Sequence, residues 1–308
     1  MSEAFAAIRF VHFAAAMAAF GIGAFRLYAF AGAAAGEDPP ARDALDRALA
    51  RMMTAAAIAA LVSALAIVPC VAAEMTGSNA AAASPATLGE VMLDTDFGHI
   101  WCWHSGFAAL LAAIVVLPRR PWQPHAATAA ALSVLASLGL TGHAAMDMGG
   151  GEAHAVNQMV HLTAAGLWLG GLLPLGLLLH RATRPDGAAY APLARIALPH
   201  FSQMGYVAVA LVALTGTVNS VMLAGSFEAL AATAYGRLLT VKIALFAAMV
   251  ALALGNRFRL MPRLARAGPA DAPLGALYRS VLAEQALGAA ILAVVAVLGT
   301  WPPANMAM

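Results

Sequence analysis

Three observations predict an all-α fold, a polytopic transmembrane helical bundle of about eight spans with both termini outside. Only 10% of the residues are charged and 62% are hydrophobic, with a mean hydropathy of +0.80; a soluble domain carries roughly a quarter charged residues. Apolar runs of the ~20 residues that cross a bilayer recur along the whole 308-residue chain. Arginines fall almost wholly in alternate breaks between those runs, the asymmetry that orients a multipass chain.

The first run, Phe5–Ala31, shows no clear cleavage site and reads as a span rather than a removable leader. It gives way to GEDPPARD at Gly36–Asp43, a helix-stopping and helix-starting stretch, before the second run, Leu49–Met75. The third, Phe97–Leu117, stops at PRRPWQP (Pro118–Pro124), and the fourth, His125–Met146, ends in a glycine triplet. The fifth, Ala153–His180, precedes RPDG (Arg184–Gly187). The sixth and seventh are Phe201–Ala224 and Tyr235–Leu260; ARAGPADAP (Ala265–Pro273) separates them from the eighth, Leu277–Trp301. No break is long enough for a soluble domain, so residues 1–308 are expected to form one integral-membrane domain.

The breaks after spans one, three, five and seven carry Arg42, Arg47, Arg51, Arg119, Arg120, Arg181, Arg184, Arg195, Arg257, Arg259, Arg263 and Arg266. The intervening breaks hold acids instead, among them Glu74, Glu90, Asp94, Asp96, Asp147, Glu152 and Glu228. The arginine-rich side is therefore expected to be cytoplasmic and the acidic side to face out, where it raises local cation concentration within about 10 Å in salt.

On that outer side lies the densest chemistry of the chain, Thr141–Gly171, with His143, His154, His161, Met146, Met148 and Met159 around a glycine triplet. Imidazole and thioether together suit copper better than the oxygen-seeking cations. His12, His104 and His161 each fall seven or eight residues into a span, so all three sit roughly 10–12 Å below the outer surface at 1.5 Å per residue, with His143 slightly shallower. Ionisable groups at such depth are functional candidates, although any one histidine also serves as packing glue between helices. The expected division is a collecting mouth (His99, Met146, Met148, His154) above a buried site (His12, His104, His143, His161).

Secondary positions follow. Asn157 shares a face with His154 and His161 and is placed to orient an imidazole. Cys102 is a soft ligand or core filling. Trp101 and Trp103 read as interfacial anchors. Lys242 snorkels outward or pairs with an outer acid. Glu284 pairs with Arg279, His200 or an inner arginine, and His200 with Met204 makes a weak second metal station near the inner side. Cys70 and Cys102, both in apolar runs, offer no disulfide framework. No GxxxxGK[ST] motif, hydrolytic triad or nucleic-acid signature is present, so an enzyme is not expected.

Several segments together resemble the copper-resistance protein D (CopD/PcoD) family. They are RFVHF at Arg9–Phe13, GHAA at Gly142–Ala145, HLTAAGLWLGGLLPL at His161–Leu175, HFSQMGYVAVALVALTGTVNS at His200–Ser220, YGRLLTVKIALF at Tyr235–Phe246 and the region Tyr278–Glu284. The resemblance implies a multi-pass protein of the bacterial inner membrane with periplasmic termini, importing copper from periplasm to cytoplasm after delivery by a periplasmic carrier of the CopC type. It leaves Cu(I) and Cu(II) both open. Two other functions share these features: a b-type haem electron-transfer protein using paired histidines, and a membrane copper chaperone that does not translocate.

Overall fold

The computed structural model describes residues 2–30, 38–141, 151–224, 227–266 and 274–301, nearly all helical and without a strand. Helix α1 (Ser2–Ala24) runs into a π-helical turn, Phe25–Ala29. Helix α2 (Pro39–Thr76) follows, then the short α3 (Pro85–Leu93), α4 (Asp96–Val116) and α5 (Gln123–Ser137), which tightens into a 3-10 turn at Leu138–Leu140. Span five is α6 (Gly151–Ala165), a π turn at Gly166–Gly170, and α7 (Gly171–Ala182). Beyond it lie α8 (Tyr190–Ala224), α9 (Phe227–Ala232), α10 (Ala234–Gly255) with a π turn at Asn256–Leu260, α11 (Met261–Arg266) and α12 (Leu274–Leu298).

Seven helices among the described residues are long and apolar enough to cross a membrane. The expected fourth span is the exception. Its helix is α5 plus the 3-10 turn, too short on its own, and residues 142–146 at its outer end lie outside the described residues. Eight successive segments nevertheless bring an end to the same side of the bundle. Phe5, Glu74, Asp96, Thr141, His154, Leu223, Tyr235 and Trp301, which begin or end successive passes, all line one cavity.

Local chemistry sets the helix ends. The Asp38 carboxylate accepts from the Ala41 amide ahead of Pro39 and Pro40, starting α2 ten residues before the apolar run begins. That extra stretch is held by the Arg26–Asp46 ion pair at 2.7 Å. Gly77, at φ 67°, ends α2 in the left-handed conformation that suits glycine. The hydroxyls of Thr95 and Thr233 accept from the amides of Gly98 and Gly236 at 3.0 and 2.9 Å, capping α4 and α10.

Helix α1 is the hub, packed against α2, α5, α7, α12 and the π turn of span five. Its alanine- and glycine-rich run, FAAAMAAFGIGAF, lets backbones come close, which is how helices associate where no hydrophobic force separates them from lipid. Gly21 lies directly on the Gly170–Gly171 peptide, and Gly170 lies on the Met17 carbonyl. A methyl group at either site would meet backbone, which has nowhere to go. Gly106, on an exposed face of α4, has open space around it. Gly21→Ala is therefore expected to destabilise the bundle by about 1–3 kcal/mol, while Gly106→Ala stabilises by roughly 0.5–1 kcal/mol. Unfolding in mixed detergent micelles, followed by circular dichroism, checks both.

Candidate metal-binding site

The acidic end of the bundle opens into a cavity of about 890 Å³ between α1, α2, α4, α6, α8, α10 and α12. Arg9, Glu74, Asp96, His154, Gln158 and Lys242 give it polar walls. The Arg9 guanidinium sits between the Phe5 and Phe13 rings, 5.6 and 5.5 Å from their centroids, and its Nε finds no hydrogen-bond partner among the described residues. His12 also lines this cavity, although only 1% of its surface is exposed.

At His12 the α1 and α4 helices bring two imidazoles together. The Nε2 atoms of His12 and His104 are 2.9 Å apart, and the ring centroids 4.9 Å. Each ring is anchored at its other nitrogen. His12 Nδ1 is 2.9 Å from Ser63 Oγ on α2, and His104 Nδ1 is 2.9 Å from Ser137 Oγ on α5. Both serine hydroxyls spend their hydrogen on their own helix. Ser63 donates to the Ala59 and Ala60 carbonyls at 2.5 and 3.1 Å, and Ser137 to the Val134 carbonyl at 2.9 Å.

The tautomers follow from that network. Each serine oxygen is left only as an acceptor, so each Nδ1 carries the hydrogen and donates it. Both Nε2 atoms then present lone pairs, and the two lone pairs point at one another. Two acceptors at 2.9 Å repel unless a cation lies between them or one serine gives up its backbone bond. Trp101 closes the site, stacked on His104 at 4.5 Å and held by its Nε1–H donating to the Ala64 carbonyl at 2.9 Å. It is buried rather than interfacial; Trp103, 72% exposed, is the one placed as an anchor.

His161 stands apart. Its Nδ1 is 2.9 Å from the Thr215 hydroxyl, which donates to the Leu211 carbonyl, and it lines a different cavity, with Lys242. Among the described residues Asn157 hydrogen-bonds no imidazole. Its amide donates to the Thr215 carbonyl and to Asn219 Oδ1 at 3.1 and 2.8 Å, while Asn219 donates to Gln158. Asn157 thus fixes the stretch of α8 that holds His161.

The remaining expected residues scatter. His154 is buried on the wall of the large cavity. His99 Nε2 is 2.8 Å from the Leu93 carbonyl, bracing α3 against α4, and exposed Cys102 sits 3.8 Å from the Met92 carbonyl. Glu284 takes no arginine or histidine. It is buried, accepts from the Asn256 amide at 2.6 Å and bonds the Trp168 side chain. His200 Nδ1 is 2.9 Å from the Ile196 carbonyl and its ring meets Tyr28 edge-on; Met204 packs into the core. His143, Met146 and Met148 lie outside the described residues. Among the described residues, no three His, Cys, Asp or Glu side chains are grouped to hold a metal ion.

The histidine pair does not fit a b-type haem. Axial nitrogens stand on opposite faces of the macrocycle, each about 2 Å from the metal, and rings in direct contact leave no slot for a porphyrin.

The description Copper resistance protein D-like, N-terminal domain, matches residues 1–155, and Copper resistance protein D matches residues 195–298. The chain is 30% identical over 306 residues to the inner membrane protein YebZ of Escherichia coli (strain K12), covering 96% of this chain and 97% of that one. It is 29% identical to copper resistance protein D of Pseudomonas syringae pv. tomato over 308 residues, 96% of each. A third relative, the copper transport protein CutJ of Bacillus subtilis (strain 168), is 30% identical over 73% of this chain and 40% of its own length. No solved structure matches. Similarity that runs nearly end to end, on helices suited to crossing a bilayer, makes this chain a multi-pass inner-membrane protein of the copper-resistance protein D family.

Proposed function

We propose that copper, the cargo, binds between His12 Nε2 and His104 Nε2 as it passes inward from the periplasm through the acidic-end cavity. One observation carries this reading: the Nε2 atoms of two buried imidazoles face each other at 2.9 Å, while each Nδ1 lies against a serine whose hydroxyl bonds its own helix, the arrangement that assigns both rings as Nδ1–H tautomers. A cation resolves the repulsion, and nitrogen ligands suit copper. A metal at the usual ~2 Å from each nitrogen asks the rings to part by about 1 Å, within reach of side-chain rotation. The serines act as the outer partners that fix tautomer and ring direction around a metal.

The arginine-rich loops put the opposite end of the bundle in the cytoplasm, so the cavity faces the periplasm. His154 on its wall collects the ion together with His143, Met146 and Met148, which precede it in sequence, and a CopC-type carrier is the fitting donor. Residues 1–308 work as one membrane domain in this reading. The name of the Bacillus relative, a copper transport protein, favours passage over storage.

Cells making the protein are expected to accumulate cytoplasmic copper, and His12→Ala or His104→Ala to abolish the gain. Unchanged accumulation in both variants sinks the pair as a transport site. Loss of accumulation without loss of bound copper in purified protein also sinks it. X-ray absorption of the copper-loaded protein should report nitrogen neighbours at about 2 Å; a shell of sulfur alone places the ion elsewhere. Ser63→Ala and Ser137→Ala leave both imidazoles in place but free their tautomers, and each should weaken copper retention against a competing chelator by roughly 10–100-fold. Accumulation equal to that of cells lacking the protein, with copper still bound, would instead identify a chaperone that does not translocate.

A further inference from the structure

The second cavity, about 460 Å³, lies between span five, α8, α10 and α12, within the size range of small-molecule sites. Its walls are largely apolar. At its rim on α8 and α10 stand Val221, 69% exposed, and Ile243, 45% exposed, so the cavity opens sideways towards lipid tails. An apolar molecule reaches it from the bilayer without crossing water.

Two groups inside are unlike their surroundings. The Lys242 ammonium makes no hydrogen bond or ion pair among the described residues. His161 is 8% exposed and donates Nδ1–H to Thr215, because the Thr215 hydroxyl hydrogen is committed to Leu211. Its Nε2 is therefore a lone pair with no partner among the described residues. A cationic donor and a neutral acceptor together ask for an oxygen head that accepts one hydrogen bond and donates another. The ammonium and the absence of any carboxylate or thiolate among the lining residues make the cavity a poor cation site. Trp168 and Phe246, edge to face at 6.1 Å and 86°, add aromatic walls that suit a flat ring over a bare acyl chain.

We infer that this cavity binds a membrane quinone or its quinol, the ring against Trp168 and Phe246, one ring oxygen at Lys242 and His161, and the tail leaving between α8 and α10. As a quinol, its hydroxyl donates to His161 Nε2 while the oxygen accepts from Lys242; as a quinone, the carbonyl accepts from Lys242. The inference does not depend on where copper binds.

The test uses the full-length protein in detergent micelles with decylubiquinone as the probe and tryptophan fluorescence as the readout. Saturable quenching is expected, and Trp168→Phe should remove most of it. Lys242→Met should weaken binding at least tenfold. Ala213 lines the cavity yet is exposed at its rim, so Ala213→Trp should plug the entrance and abolish binding while the protein keeps its helicity and its copper at His12 and His104. Wild-type binding by Ala213→Trp, or quenching unaffected by Trp168→Phe, overturns the assignment. Displacement of the probe by equimolar palmitic acid also overturns it, in favour of a fatty-acid carboxylate. Loss of quinone binding with copper retained separates this site from the copper pair.

Discussion

Water is absent from the hydrocarbon interior of a bilayer, so polar groups packed between these helices depend on partners supplied by neighbouring helices. The His12–His104 pair is the place where that constraint is tightest. Each ring reaches a serine on a neighbouring helix, each serine is pinned to its own backbone, and Trp101 is tied to a carbonyl of α2. Four helices, α1, α2, α4 and α5, are thereby set in register around one contact between two nitrogens. The two nitrogen lone pairs that face each other there are what the proposed copper binding rests on.

The same economy explains the shape of the bundle. Helix α1 delivers His12 to the centre because its small residues admit span five at backbone distance. Span five pays for that closeness with an interrupted helix: a π turn at Gly166–Gly170 and Pro174 four residues later. Next to that interruption α12 is tied to span five, where Gln285 donates to the Leu172 carbonyl at 2.8 Å. Beside it Glu284 bonds Asn256 and Trp168. The segment HLTAAGLWLGGLLPL thus combines a cavity wall, a close helix crossing and a bend, which explains its unusual density of glycine.

Much of this was readable in the chain. Hydropathy marks the apolar stretches, although α2 and α8 begin well before their runs at Pro39 and Tyr190, and counting 1.5 Å per residue puts His12 and His104 at one depth, where they do meet. The same count puts His161 at that depth too, yet His161 faces another cavity, because depth says nothing about which way round its helix a side chain points or which helix is next to it. Ser63, Ser137 and Thr215 left no signal, since a lone hydroxyl in an alanine-rich run has no period or motif. Trp101 misled because tryptophan at the start of a span is usually interfacial, and only the neighbouring α2 carbonyl draws it inward. Glu284 found an asparagine and an indole rather than a cation, a choice made by helix neighbours that hydropathy does not order. The helices α3 and α9, at nine and six residues, are too short for a helical period to show in the sequence.

Arg9 and Lys242, described above as walls of the large cavity, have a further consequence for a membrane that must hold a proton gradient. They share those walls with the Glu74 and Asp96 carboxylates: the acids draw cations to the cavity, and the buried positive charges raise the cost of going deeper for hydronium, sodium and potassium alike. Only an ion that forms coordinate bonds recovers that repulsion, and the neutral imidazoles offer such bonds to a soft metal and nothing comparable to a hydrated alkali ion. On the proposed copper route, tightness against leak and preference for copper would both follow from where two cations and two neutral rings are placed.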